Sequence, residues 1–240
     1  MKKYYSKLLA ILCAACLTIS AAVPAFAADI SNEPQEYATT AVTRGPITFP
    51  VSFGSDDIAL YDQFAAMSRD DLITYINNLS PDTQSRSGIA PTSDMTRVLA
   101  AKGFIALVAL FVKEDLPCAA ELVLHSLAGE DYVETNGIFT EAIKQSPSFL
   151  NWIPTATAGA KKEIYYGPNE VSDLYYSLRH VTFTCLYVST QGKTVYLEDI
   201  FDFKLEMCET LKATLLNTGA WLLTQTDVMN EITLEISFIY

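Results

Sequence analysis

Only two histidines occur among the 240 residues, His125 and His180. Neither stands in H-E-x-x-H, and beyond residue 27 no cysteines are spaced C-x-x-C, so the chain offers no zinc ligand set. It also lacks G-x-S-x-G, a phosphate-cradling glycine loop and a dinucleotide fingerprint. No cofactor and no metal is expected on this basis. Basic residues are scarce, with 16 Lys and Arg against 28 Asp and Glu, and no basic run exceeds Lys161-Lys162. Nucleic acids and anionic membranes need clusters of Lys and Arg that displace counterions, so neither is an expected partner.

What the chain does have begins at its N-terminus. Lys2, Lys3 and Lys7 form a positive region, Leu8 to Val23 an apolar one, and Ala25-Phe26-Ala27 a small-x-small cleavage pattern. This is the layout of a secretory signal peptide over residues 1–27, with a mature start at Ala28. An uncleaved anchor is the alternative, and lipid attachment at Cys16 a further one. Removing three lysines with the peptide takes the formal charge from −12 to −15 and leaves 213 residues, enough for a real core. The expected location is outside the cell, and the membrane enters only through targeting.

Three cysteines remain after cleavage: Cys118, Cys185 and Cys208. An odd number cannot pair completely within one chain. They read as buried small hydrophobes, with a Cys185–Cys208 disulfide as the alternative. Cys118, in the first turn of a predicted helix, sits where the helix dipole favours a thiolate. His125 is seven residues on, about 10 Å along a helix, which is too far for a direct Cys–His pair.

The expected fold class is α+β, with a helical first half followed by an antiparallel sheet made of a hairpin, a helix and a C-terminal strand. Residues 28–54 read as a spacer, polar to Arg44, with a proline-interrupted edge strand at Ile47 to Phe53. Residues 55–153 read as a helical subdomain. Its centre is the apolar stretch Met95 to Ala128, split into helices at Glu114–Leu116, with Pro117 opening the second and Gly129 closing it. Ser68 and Asp71 form a capping pair for an earlier helix. Pro154 to Gly159 is a linker, and 160–240 reads as β-β-α-β. Its helix runs from Cys208 to about Asp227, and its last strand is the clean alternation Ile232, Leu234, Ile236, Phe238.

The hairpin register carries the main site expectation. A three-residue loop puts Thr190 opposite Thr194 and gathers Val181, Phe183, Cys185 and Tyr187 on one face with Val195, Leu197, Phe201 and Phe203. Asp199 is then the only charge on that face, near Cys185. A carboxylate there must be paired, hydrogen-bonded or protonated. It is the one candidate catalytic acid or base, unless a bulge or strand end lets it reach water. Glu198, Asp199, Asp202, Glu206 and Glu209 lack the glycine and spacing of a calcium loop and read as a solvated acidic face. Adjacent tyrosines at 165–166 and 175–176 would place one ring on each face of a strand, where outward rings could stack on sugars or peptides.

Asp173-Leu174-Tyr175-Tyr176-Ser177-Leu178, followed by the hairpin and Asp199-Ile200-Phe201-Asp202-Phe203, resembles a D-x-[YF]-D-F strand end in secreted proteins of Gram-positive bacteria. Some bacterial toxin and bacteriocin domains carry a similar segment. The resemblance covers Asp173 to Phe203 and implies an exported bacterial protein. It transfers no catalytic residue. The resulting expectation is a non-catalytic extracellular domain that binds a protein, peptide or glycan. A secreted enzyme or effector using Asp199, and a surface lipoprotein, are the alternatives.

Overall fold

Apolar periodicity of 3.6 in the first half and of 2 in the second becomes helices packed beside one sheet. The computed structural model describes residues 41–79, 93–167, 169–201 and 228–240. The expected signal peptide, the loop at 80–92, the helix from Cys208 to Asp227 and Cys208 itself lie outside the described residues.

Among the described residues there are seven α-helices: α1 (Ser55–Ala66), α2 (Arg69–Asn77), α3 (Ser93–Lys113), α4 (Pro117–Ala128), α5 (Ile138–Gln145), α6 (Pro147–Trp152) and α7 (Ser172–Ser177). The strands are β1 (Val42–Arg44), β2 (Ile47–Phe49), β3 (Tyr132–Glu134), β4 (Lys161–Tyr165), β5 (His180–Ser189), β6 (Gly192–Phe201) and β7 (Ile232–Ile239). β1 and β2 form a small hairpin; the others make a five-stranded sheet in the order β3-β7-β6-β5-β4. The α+β class expected from the sequence is the class observed. The sheet is antiparallel except at β3, which joins β7 in parallel from the helical half.

Local chemistry accounts for the helix ends. Ser68 accepts a hydrogen bond from the Asp71 N–H at the start of α2. Pro117 opens α4, and Gly129, at φ 69°, closes it in the left-handed conformation that glycine adopts without strain. Asp94–Lys113 has a mean hydropathy of 1.9, so by length and composition it could cross a membrane. Here Phe104 to Phe111 are all buried among α1, α2 and α4.

α4 is the wall shared by two apolar cores. Its Ala119, Ala120, Val123 and Leu124 pack with α1–α3 and the β1-β2 hairpin. Its Cys118 and Leu122 pack with the inner face of the sheet and with α5–α7.

Three expectations need correction. Val42–Arg44, read as spacer, is a strand that pairs with Ile47–Phe49. Tyr175 and Tyr176 lie on α7, not on a strand. The β5-β6 loop has two residues: Ser189 opposes Gly192, and a bulge between Cys185 and Tyr187 shifts the register by one. Below the bulge Phe183 opposes Leu197 and Cys185 opposes Val195, so the inner face holds the expected apolar residues. Above it Tyr187 turns outward and is 62% exposed. The extra residue re-aims one side chain while preserving the apolar face beneath it.

The turn above that bulge depends on Gly192, at φ 139°. A Cβ built there would lie 2.5 Å from the Tyr240 carbonyl oxygen. Gly192→Ala should cost roughly 2 kcal/mol, a fall of about 5 °C in Tm, measured by thermal unfolding.

Candidate functional site

The inward position of Asp199 is realised, although not beside Cys185. It stands between Leu197 and Phe201 on β6, opposite Leu234 of β7. The side chain is half-buried, and its Oδ1 accepts the Ile200 N–H at 2.9 Å. Asp199 lines neither of the two grooves described below. Cys118 and Cys185 are free, fully buried thiols.

The densest group of buried ionisable side chains lies elsewhere. Glu121 on α4, Glu134 on β3 and Asp173 on α7 are 5%, 8% and 6% exposed. Asp173 accepts the N–H groups of Cys118 and Ala119, at 2.7 and 3.0 Å, and so caps α4 from 55 residues away. Glu134 accepts the Phe139 and Thr140 N–H groups, at 3.1 and 2.7 Å, and caps α5. It also accepts the Tyr132 hydroxyl at 2.8 Å. Glu121 accepts the Thr48 N–H at 2.7 Å, which ties the β1-β2 hairpin to α4. Each carboxylate thus satisfies backbone donors that helix ends or a strand edge would otherwise leave unpaired.

Burial sets the protonation of this group. The Glu121 carboxyl is pushed up to about 7, first by desolvation and further by the nearby Glu134 and Asp173 charges; bonds from Tyr132 and Thr48 oppose the shift. Desolvation also raises Asp173, against the pull of its two backbone donors. Burial and the Asp173 carboxylate hold the Cys118 thiol well above its ordinary range. The helix N-terminus that would have favoured a thiolate is already occupied by Asp173. His125 is lowered, chiefly by desolvation; its Nδ1 is 3.2 Å from the Glu130 and Asp131 carbonyl oxygens, and its ring meets Tyr132 edge-on. Cys118 and His125 therefore serve different neighbours. Sequence reasoning missed the three carboxylates. The one available signal was Glu121, a lone charge within the apolar run of α4.

Two open grooves border these elements. One, of about 480 Å³, lies at the starts of α4 and α5 and is lined by Asp115, Asn136, Glu141 and Asp173 among others. Both helix ends there are already filled by carboxylates of the chain itself, so an anion would meet only negative charge. The other, of about 470 Å³, lies between α6 and β4. Ser148, Asn151, Trp152 and Thr155 form one wall; Lys162, Glu163, Ile164 and Tyr165 form the other. Tyr165 is 66% exposed, stacked on His180 at 3.9 Å with the rings 8° from parallel. This groove brings together aromatic surface, amide, hydroxyl and charge in contact with water.

The raised Glu121 carboxyl gives stability a definite pH dependence. The native state holds this proton until pH 7, whereas the unfolded chain releases it near 4.5. The proton is favoured in the folded state, so the contribution is full below about 4.5, declines as pH rises through 4.5–7, and is gone above 7. Glu121→Gln should flatten the stability profile across that window by about 3 kcal/mol, read by denaturant unfolding at several pH values. No family model, curated protein or solved structure matches the chain.

Proposed function

We propose that this chain is an exported acidic domain that binds a peptide or glycan ligand outside the cell through the groove between α6 and β4, without catalysing a reaction on it. One observation carries the reading. Glu121, Glu134 and the Cys118 thiol are held inside the core, and Asp173, at the rim of the first groove, is engaged by two backbone donors of α4, while the water-facing aromatic and polar side chains converge on the second groove. Catalysis needs an acid, base or nucleophile within reach of a bound substrate. Binding needs a concave surface with a few placed polar groups and aromatic area, and the groove supplies both. The leader pattern at residues 1–27 supports a place outside the cell.

The test is a ligand screen with the folded chain started at Ala28, against immobilised peptides and glycans. Tyr165→Ala should weaken whatever binds at least tenfold, with little change in Tm because the ring is exposed. Asp199→Asn should leave binding unchanged. Turnover of a bound ligand that disappears in Asp199→Asn would overturn the reading in favour of an enzyme.

A further inference from the structure

The groove has a geometry that narrows its ligand. Four consecutive residues of β4, Lys162 to Tyr165, line one wall. A sheet face exposes alternate residues; only a strand's edge presents a continuous run. β4 is the terminal strand of the sheet, and among the described residues no strand pairs with its outer edge. The ladder fixes which backbone groups face that edge. The Cys185 N–H donates to the Ala160 carbonyl and the Tyr166 N–H to the Arg179 carbonyl, so the even-numbered residues of β4 bond to β5. By alternation Lys161, Glu163 and Tyr165 turn their N–H and C=O groups outward. The facing residues Ser148, Asn151, Trp152 and Thr155 are spaced i, i+3, i+4 and i+7, one continuous face along α6 and the turn that follows it.

An unpaired strand edge opposite a polar helical wall is the arrangement in which an added strand gains main-chain hydrogen bonds on one side and side-chain contacts on the other. The five residues of β4 span about 17 Å, room for a short extended segment. Charge selects among such segments. Beyond residue 27, Lys161 and Lys162 are the longest basic run of a strongly acidic chain. The Glu163 carboxylate lies 3.8 Å from His180 on the outer face of the sheet. The groove wall therefore carries Lys162 as its cation. Resting on the binding reading above, we infer that the ligand is an extended peptide bearing a carboxylate, which adds to β4 as a sixth strand and sets its acid against Lys162.

A displayed library of random ten-residue peptides, selected on the chain started at Ala28, tests this. The expected winners alternate apolar and polar residues and carry Asp or Glu. Glu163→Pro removes one outward N–H without touching the ladder to β5, a substitution that an edge strand tolerates. It should abolish binding with Tm within a few degrees of the parent, and Lys162→Ala should weaken it at least tenfold. Lys162→Arg should restore it. Peptides whose binding survives Glu163→Pro, or a Glu163→Pro chain that binds as the parent does, would overturn strand addition. If the library yields nothing but a glycan binds and is lost in Tyr165→Ala, strand addition fails while the binding-domain reading stands. Concentration-dependent dimers broken by Glu163→Pro would assign the edge to a second copy instead and overturn the peptide. If neither peptides nor glycans bind, both readings fail.

Discussion

Three carboxylates buried on backbone N–H groups hold this fold together. A carboxylate taken out of water loses strong hydration and survives only where other donors replace it. Asp173 and Glu134 take theirs from the starts of α4 and α5, where the helix dipole and unpaired N–H groups both favour negative charge. Glu121 takes its own from Thr48, 73 residues earlier. The acids are thus long-range fasteners. Asp173 ties α7 to α4, Glu121 ties the first hairpin to the same helix, and Glu134 joins the parallel edge strand to α5. Removing one partner of such a pair leaves a buried group unsatisfied, which costs more than the bond itself contributes.

α4 is where these constraints meet. One side of the helix completes the helical core, the other completes the sheet core, and Asp173 and Glu121 both act on it. Glu121 lies between apolar neighbours, so a charge in the middle of the helix is the cost of anchoring the hairpin. Its proton resolves that cost below pH 7, because a neutral carboxyl accepts the Thr48 N–H without adding a third charge beside Glu134 and Asp173. The local acid–base chemistry of this core is therefore structural.

The helices α1 to α6 were legible because they carried their own period and their own ends, whereas α7, with its adjacent tyrosines, read as strand. Ser68, Pro117 and Gly129 act within a few residues, and such signals need no knowledge of the rest of the chain. β7 was legible for the same reason. β4 was not, since Lys161, Lys162 and Glu163 break any alternation in a strand that is exposed along most of its length. β3 is only three residues and exists because β7 offers it an edge. The hairpin shows the limit most clearly. Pattern alone identified which residues share the inner face, Phe183 and Cys185 with Val195 and Leu197, but not their pairing: the longer loop would set Cys185 against Asp199, whereas the shorter loop and the bulge set it against Val195. The two solutions differ in every pairing along β6, and they turn Tyr187 to opposite faces. The buried carboxylates were the least legible, because their partners are backbone groups brought near by the tertiary fold and leave no mark in the sequence.

The same chain that hides its acids leaves the outer edge of β4 unpaired among the described residues, and the electrostatics of that edge follow from its surroundings. The formal charge of −12 repels an acidic partner at long range, whereas Lys161 and Lys162 act only within a Debye length, about 8 Å at physiological salt. Attraction at the edge therefore begins at contact and cannot accelerate the approach. Affinity on such a surface must reside in slow dissociation, from paired main-chain groups and a desolvated Lys162, with little gain in association rate as salt is lowered. The two lysines also keep like strands apart. Any two-fold antiparallel pairing of β4 with its own copy sets one residue of the strand against itself. Centred on Lys161, Lys162 or Glu163, it opposes like charges, which is destabilising. Those registers are therefore guarded against self-association by charges of the same strand that would admit a carboxylate.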